Sequence, residues 1–296
     1  MTPSVFAHHN TTKRGQKMHK FTTLVATDFS KSSFIVLSKA LEFTQKTGGV
    51  MHVVHVAEHS VFSFKKNLDS IRAKSFNKLK EAFPSIGEDY FHCVAGKVKT
   101  EVANVAKEVQ ADLIILGQSG ETYFLDELIL GSHTKDIVRH CETPVLVIKN
   151  VHELEYDTIL IPTDLSEASA KTIHEVTKLF PKSHFKILNF YYLPFQTRLD
   201  TYGLDEEEMI AYQNTVKKES QESLDSFVAS LALSKEISVS TYVKQSSLNA
   251  KLFTDEVKEI EHDLVAIHTT GSLSFYAFDV LEHSQKDVII VKQDVK

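Results

Sequence analysis

Four largely apolar runs, Phe21 to Ala26, Val50 to Val56, Leu113 to Leu116 and Val145 to Ile148, punctuate the first half of the chain. Strands buried on both faces need such runs, because neither face can carry polar side chains. Between the first two runs the period changes. Ser30 is placed as an N-cap, and Phe34, Leu37 and Leu41 follow on one helical face, with Phe43 beyond them, before Gly48-Gly49 ends the segment. Strand and helix patterns alternate, with a further strand predicted around His92 and Cys93, which reads as βαβ units and a parallel sheet.

The second half repeats the first. Leu24 to Ser30 matches Leu160 to Ser166, an offset of 136 residues from Asp28 to Asp164. Ala111 to Leu116 matches His262 to Ile267 with an offset of 151 (Asp112 to Asp263), and Val145 to Lys149 matches Val288 to Lys292 with an offset of 143 (Val145 to Val288). The second copy has therefore gained about fifteen residues early and lost about eight late, counted as a repeat should be before local motifs are weighed. In that copy Ser166 caps a helix carrying Ile173, Val176 and Leu179, Pro181 follows its end, and Ile187 to Phe190 is the next strand. The insertion is placed between Tyr191 and Leu233, where Asp205 to Glu208 opens a long helix through Met209, Tyr212, Val216 and Leu224. The fold class expected is α/β, with two tandem open, mostly parallel five-stranded sheets flanked by helices. Residues 18–150 form one domain, 156–296 a second, and the stretch from Asn150 to Tyr156 links them.

At 296 residues two domains, each with its own core, are the natural division. Residues 1–17 hold His8, His9, Lys13, Arg14 and Lys17 without an acidic residue or an apolar core, and read as a disordered arm or an alternative start ahead of Met18. The net charge of -6 with interspersed signs argues against nucleic acid as a partner. No apolar run approaches the roughly 18 residues of a membrane span. Cys93 and Cys141 are distant in sequence and form no Cys-x-x-Cys pair, which argues against a disulfide framework or a zinc knuckle and fits a cytoplasmic location.

The chemistry is concentrated after the fourth strand. Leu116-Gly117-Gln118-Ser119-Gly120 is followed by ten residues and then by Gly131-Ser132-His133-Thr134, which opens a helix toward Cys141. Strand, glycine turn and helix N-terminus are the parts of an anion site. Gly117 and Gly120 are expected to supply positive φ and close approach, and Gly131 and Ser132 free helix N–H groups and a hydroxyl. Taken alone, the glycines read equally well as an ordinary turn and cap. Thr27-Asp28 and Val56 emerge at the same carboxyl ends of the strands, where open α/β sheets bind ligands.

Together, Ala26-Thr27-Asp28-Phe29-Ser30, His55-Val56, Gly117-x-x-Gly120, Gly131-Ser132 and Pro144 to Lys149 resemble the universal stress protein family, along residues 20–149 and more loosely along 156–292. The resemblance implies an adenine-nucleotide site. Asp28 and Val56 would border adenine and ribose, and Gly117, Gly120, Gly131 and Ser132 would hold the phosphates, with backbone help from Thr27, His133 and Thr134; Ala26 and Leu116 are counted with the nucleotide-binding residues. The ligand implied is ATP, with ADP or AMP as alternatives and Mg2+ as a companion ion. The family's ATP-binding pattern has nine residues where this chain has Glu121 to Leu130, one more. Ala26 also stands where the family often has proline. The resemblance further implies that Val145 to Lys149 pairs with Val288 to Lys292 across a pseudo-twofold axis, so that one chain imitates a dimer. A homodimer of the whole chain is the other arrangement left open.

In the second copy His268 replaces the first glycine, Gly271 remains, and Ser274-Phe275 stands near the Gly-Ser position. Phe275, Tyr276 and Phe278 cannot replace backbone donors, so this copy is expected not to bind ATP in the family's manner, with Asp164 a turn residue. His52 and His55 lie three apart on a strand and point to opposite faces, which argues against a metal site with His59, and Cys93 beside His92 reads as structural. No hydrolase loop is present. A regulatory nucleotide-binding module without catalysis is the first reading. An interaction module that binds no nucleotide is the second, and a slow ATP hydrolase or self-phosphorylating protein the third.

Overall fold

The computed structural model describes residues 20–58, 67–118, 131–149, 155–193, 205–246, 253–270 and 275–293. The expected arm at 1–17, Gly120, the spacer Glu121 to Leu130, His59, Gly271 and Ser274 lie outside the described residues.

Each half supplies five strands. In the first they are β1 (Thr22–Ala26), β2 (Val50–Ala57), β3 (Phe91–Ala95), β4 (Leu113–Gly117) and β5 (Val145–Ile148). The helices between them are α1 (Lys31–Lys46), α2 (Leu68–Ala82), α3 (Val98–Glu108) and α4 (Ser132–His140). In the second half β6 (Thr158–Thr163), β7 (His184–Tyr191), β8 (Ser238–Gln245), β9 (Leu264–Thr270) and β10 (Asp287–Gln293) alternate with α5 (Glu167–Leu179), α6 (Glu206–Ser230), α7 (Phe253–Glu256) and α8 (Phe275–His283). The long insertion helix falls where the acidic run puts it. Asp205 caps α6, accepting from the Glu208 amide while the Glu208 carboxylate accepts from the Asp205 amide.

The strands join into one ten-stranded sheet in the order β3-β2-β1-β4-β5-β10-β9-β6-β7-β8. All neighbours are parallel except at the centre, where β5 and β10 run antiparallel with Leu146 opposite Ile289. Two five-stranded parallel sets thereby become a single continuous sheet rather than two open ones. The pairing covers an edge of each half that would otherwise template association. Val145, Leu146, Val147, Val288, Ile289 and Ile290 are all buried at this seam.

Helices cover both faces, and both cores run across the seam. On one face Leu37 and Phe43 of α1, Leu79 of α2, Ile173 of α5 and Leu224 of α6 belong to one cluster. On the other, Val102 of α3, Ile137 of α4, Phe253 of α7 and Leu281 of α8 belong to the second. Tyr156, assigned to the linker for want of periodicity, is instead buried beside the seam, and its hydroxyl donates to Asp287 Oδ2 at 2.7 Å. Asp287 Oδ1 also accepts from the Lys149 amide at 2.7 Å, and Lys149 Nζ donates to the Ser284 carbonyl at 2.7 Å. Burial pulls the Lys149 ammonium down to about 8 against the opposing pull of the Asp287 and Glu282 carboxylates. Burial, with Asp287 beside it, holds the Tyr156 phenol well above its ordinary value.

Candidate nucleotide-binding site

β1 ends in a turn held by short-range hydrogen bonds. The Thr27 amide donates to the Val54 carbonyl at 2.9 Å, so the chain pairs with β2 one residue past the strand. Phe29 takes φ 60°, a left-handed conformation that costs a non-glycine residue about 1 kcal/mol. The Phe29 amide donates to Thr27 Oγ1 at 3.0 Å, and the Ser30 amide donates to Asp28 Oδ1 at 2.9 Å. Ser30 then caps α1 by accepting from the Ser33 amide at 3.2 Å. Burial disfavours the Asp28 carboxylate, but the hydrogen bonds from Ser30 and Ser33 outweigh it and hold the carboxyl below its usual range. A charged, oriented carboxylate thus stands at the strand end.

Opposite it, Gly117 closes β4 and Gln118 follows. A Cβ on Gly117 would lie 3.1 Å from Val36 Cγ2, so the close approach expected of this glycine is real, but it is made to α1. Its φ is not positive. Gly48 is the one glycine among the described residues in the left-handed region, so the positive φ expected at Gly117 is corrected. An extended strand end does not require it.

The N–H groups expected to be free are also redistributed. The Gly131 amide donates to the Gln118 carbonyl at 3.0 Å, tying the two ends of the 119–130 segment together. Gly131 therefore stands as the N-cap of α4 with its donor spent, and no side chain caps that helix. The Thr27 amide, expected to help with phosphate, is likewise spent on Val54. What remains is the first turn of α4, where Ser132 and His133 are exposed and Thr134 is buried. Thr134 Oγ1 donates to the Gly117 carbonyl at 3.1 Å and fixes that turn against β4.

Between these walls lies a cleft of about 290 Å³ at the carboxyl ends of β1, β2 and β4. It brings together eight of the proposed residues: Ala26, Thr27, Asp28, Val56, Leu116, Gly117, His133 and Thr134. Gly131 and Ser132 are not among its lining residues. The lining also contains residues that the motif search did not assign to the site. Val98 and Val102 of α3 and Ile137 of α4 give an apolar wall, and His55, Glu58 and Ser33 polar groups. His55 Nδ1 lies 2.9 Å from the Thr27 carbonyl, which can only accept, so Nδ1 carries a hydrogen. His55 was legible as part of a motif, but its side-chain direction was not. An apolar wall, a carboxylate and an uncapped helix start fit a nucleoside carrying an anionic tail.

A larger cavity, about 470 Å³, opens at the other ends of the second half's strands, among Thr158, Phe253, Val257 and Lys286. It lies beside α7, which has 4 residues where α3 of the first half has 11. It is not at the carboxyl ends of the strands, and its size alone does not make it the site.

The second half keeps the turn after its first strand. The Leu165 amide donates to Thr163 Oγ1, the Ser166 amide to Asp164 Oδ1 and the Ser169 amide to Ser166 Oγ at 3.0, 3.0 and 3.2 Å, with Leu165 at φ 62°. Asp164 also accepts from Ser169 Oγ at 2.6 Å, which makes it a fully engaged turn residue. His268 occupies the position of Gly117, its proton affinity lowered by burial against the pull of Asp164. Buried Phe253 packs edge-on against Phe190. An imidazole thus stands where the first half has a bare glycine.

Residues 21–149, which make up most of the first half, match the model of the universal stress protein family. That half is similar to the universal stress protein MJ0577 of Methanocaldococcus jannaschii, 29% identical over 151 residues covering 43% of this chain and 93% of that protein. It is similar also to universal stress protein A homolog 1 of Coxiella burnetii, 28% identical over 143 residues, 44% of this chain and 97% of the relative. A universal stress protein from Archaeoglobus fulgidus shares the fold over both halves: 92% of this chain and 96% of that one superpose with a TM-score of 0.62 at 17% identity.

The other histidines and the cysteines raised by the sequence have the following surroundings. His52 Nδ1 meets His92 Nε2 at 2.9 Å, while His55 points to Thr27, so the two strand histidines do face apart. Among the described residues no three His, Cys, Asp or Glu side chains converge as a metal site would need. Both cysteines are buried, and burial pushes the Cys141 thiol up to about 12. No helix among the described residues is long and apolar enough to cross a membrane.

Proposed function

We propose that the first half is an adenine-nucleotide-binding regulatory domain, with ATP its preferred ligand, and that the second half does not bind nucleotide in that way. The carrying observation is the cleft itself. It joins an apolar wall from Val98, Val102 and Ile137 to the Asp28 carboxylate and opens onto the uncapped start of α4. Asp28 is suited to ribose hydroxyls, since a carboxylate held ionised is an acceptor. The first-turn amides of α4 are suited to phosphate, through unpaired donors and the positive end of the helix dipole. With the Gly131 and Thr27 amides already engaged, the phosphate contacts fall to Ser132, His133 and Thr134. Fewer committed donors make ADP and AMP closer competitors of ATP than a full glycine cradle would.

The reading is of binding without catalysis. Asp28 is tied down by Ser30 and Ser33, and His133 is an exposed first-turn residue. The Asp28 carboxylate is thus committed to its own turn, and neither group is offered as a general base. Isothermal titration calorimetry of the full chain with ATP, ADP and AMP, with and without Mg2+, tests it. One nucleotide per chain with micromolar affinity is expected. No heat with any of the three overturns the reading in favour of an interaction module, and phosphate release that Ser132→Ala abolishes turns it toward a hydrolase.

A further inference from the structure

The seam between the halves carries a local twofold symmetry that its side chains break. Val147 faces Val288, Leu146 faces Ile289 and Val145 faces Ile290. Val145, Leu146 and Val147 correspond in the repeat to Val288, Ile289 and Ile290, so exchanging the halves maps this set of pairs onto itself. The axis passes through Leu146 and Ile289. The same correspondence carries α4 onto α8, with Lys135 matching Phe278 and Arg139 matching Glu282. These four residues meet across the axis. Lys135 Nζ lies 3.1 Å from Glu282 Oε2, and the Arg139 guanidinium lies 4.6 Å from the centre of the Phe278 ring.

The two contacts are one symmetric contact made twice with different chemistry. In an interface between identical halves they would be the same pair. If the first half met its own copy, Lys135 would face Arg139 twice, four cations around one axis. If the second half met its own copy, Phe278 would face Glu282 twice, and the negative face of a ring repels a carboxylate. Pairing first half with second gives a cation on a carboxylate and a cation on a ring, both attractive. Asp287 adds to the bias. It accepts the Lys149 amide and the Tyr156 hydroxyl, while its counterpart in the first half is Pro144, with no side-chain acceptor for Lys292.

We infer that the α4–α8 seam is a partner-discriminating surface: each half is fitted to the other half and set against a second copy of itself. The surface on α4 takes a helix presenting one carboxylate and one aromatic ring a turn apart, which is what α8 presents. This selectivity is independent of any nucleotide.

An exchange experiment on the full-length chain tests it by thermal denaturation. Lys135→Phe with Arg139→Glu gives the first half the second half's pattern, and Phe278→Lys with Glu282→Arg does the reverse. Each pair is expected to lower the midpoint by about 3–6 °C, the second more than the first. All four substitutions together restore a cation to each carboxylate and ring, and are expected to recover at least half of that loss. If the fourfold chain loses the sum of the two pairs, or if neither pair changes the midpoint, the inference fails. Should a paired variant not fold, Glu282→Arg against Glu282→Arg with Lys135→Glu asks the same question with one contact. A midpoint restored by the second substitution supports discrimination, and one left low overturns it.

Discussion

The turns after β1 and β6 are nearly the same object, whereas the turns after β4 and β9 are not. In the first pair a left-handed residue, an aspartate accepting an amide two residues on and a serine cap recur with matching distances. In the second pair Gly117 is replaced by His268, and the helix that follows starts with Ser132-His133-Thr134 in one half and Phe275-Tyr276-Ala277 in the other. The strand-one turn is held by its own short-range hydrogen bonds and by the helix it caps, so it persists whether or not anything binds. The strand-four turn is held instead by longer-range bonds, Thr134 Oγ1 to the Gly117 carbonyl and the Gly131 amide to the Gln118 carbonyl, and His268 puts an imidazole at the Gly117 position in the second half.

The comparison breaks first at the helix start. Gly131→Glu places a carboxylate where phosphate would sit and is expected to weaken ATP by at least about 100-fold, while Asp164→Ala in the second half leaves affinity within about twofold. Calorimetry on both variants reads this directly, and a stoichiometry of two nucleotides per chain would collapse the distinction between the halves. A second effect belongs to the seam. Lys149 is held near 8 in the folded chain against 10.5 as the ordinary value, so between these pH values the unfolded chain binds more protons. Stability therefore rises with pH through that window, by about 2 kcal/mol from pH 8 to 9.5 at most. Above pH 10 the Tyr156 phenol, which ionises only in the unfolded chain, turns the slope downward. Urea denaturation at pH 7, 8 and 9.5 measures this, and Lys149→Met should flatten the rise. The smallest effect tests the shared part: Ser30→Ala and Ser166→Ala should each cost about 1 kcal/mol and match within a few tenths by chemical denaturation. Unequal losses would mean that one turn depends on more than its cap.

How much was legible in the sequence follows from the range of each interaction. The runs at Leu113 to Leu116 and Val145 to Ile148 are buried strands because nothing else tolerates such runs beside glycine and proline. Ser30, Ser166 and Asp205 are caps in the structure as in the pattern, since a cap acts within three residues. What failed was long-range. That Gly131 donates to Gln118 depends on how the chain returns over thirteen positions, and that Thr27 donates to Val54 depends on strand register. The left-handed Phe29 and Leu165 were hidden because neither is a glycine. Tyr156 looked like linker because its partners, Asp287 and Ser183, lie far along the chain.

The antiparallel joint at Leu146 and Ile289 also changes what mutation can do to this molecule. When two identical chains meet on an axis, every substitution near it is made twice, so a charge introduced on one side appears on the other and repels itself. Here the two sides are written by different codons. A single change alters one side alone, which is how a lysine can come to face a glutamate, one half can lengthen α6 to 25 residues, and the other can keep an open cleft without a matching opening across the axis. Joining two copies in one chain released each from having to resemble the other.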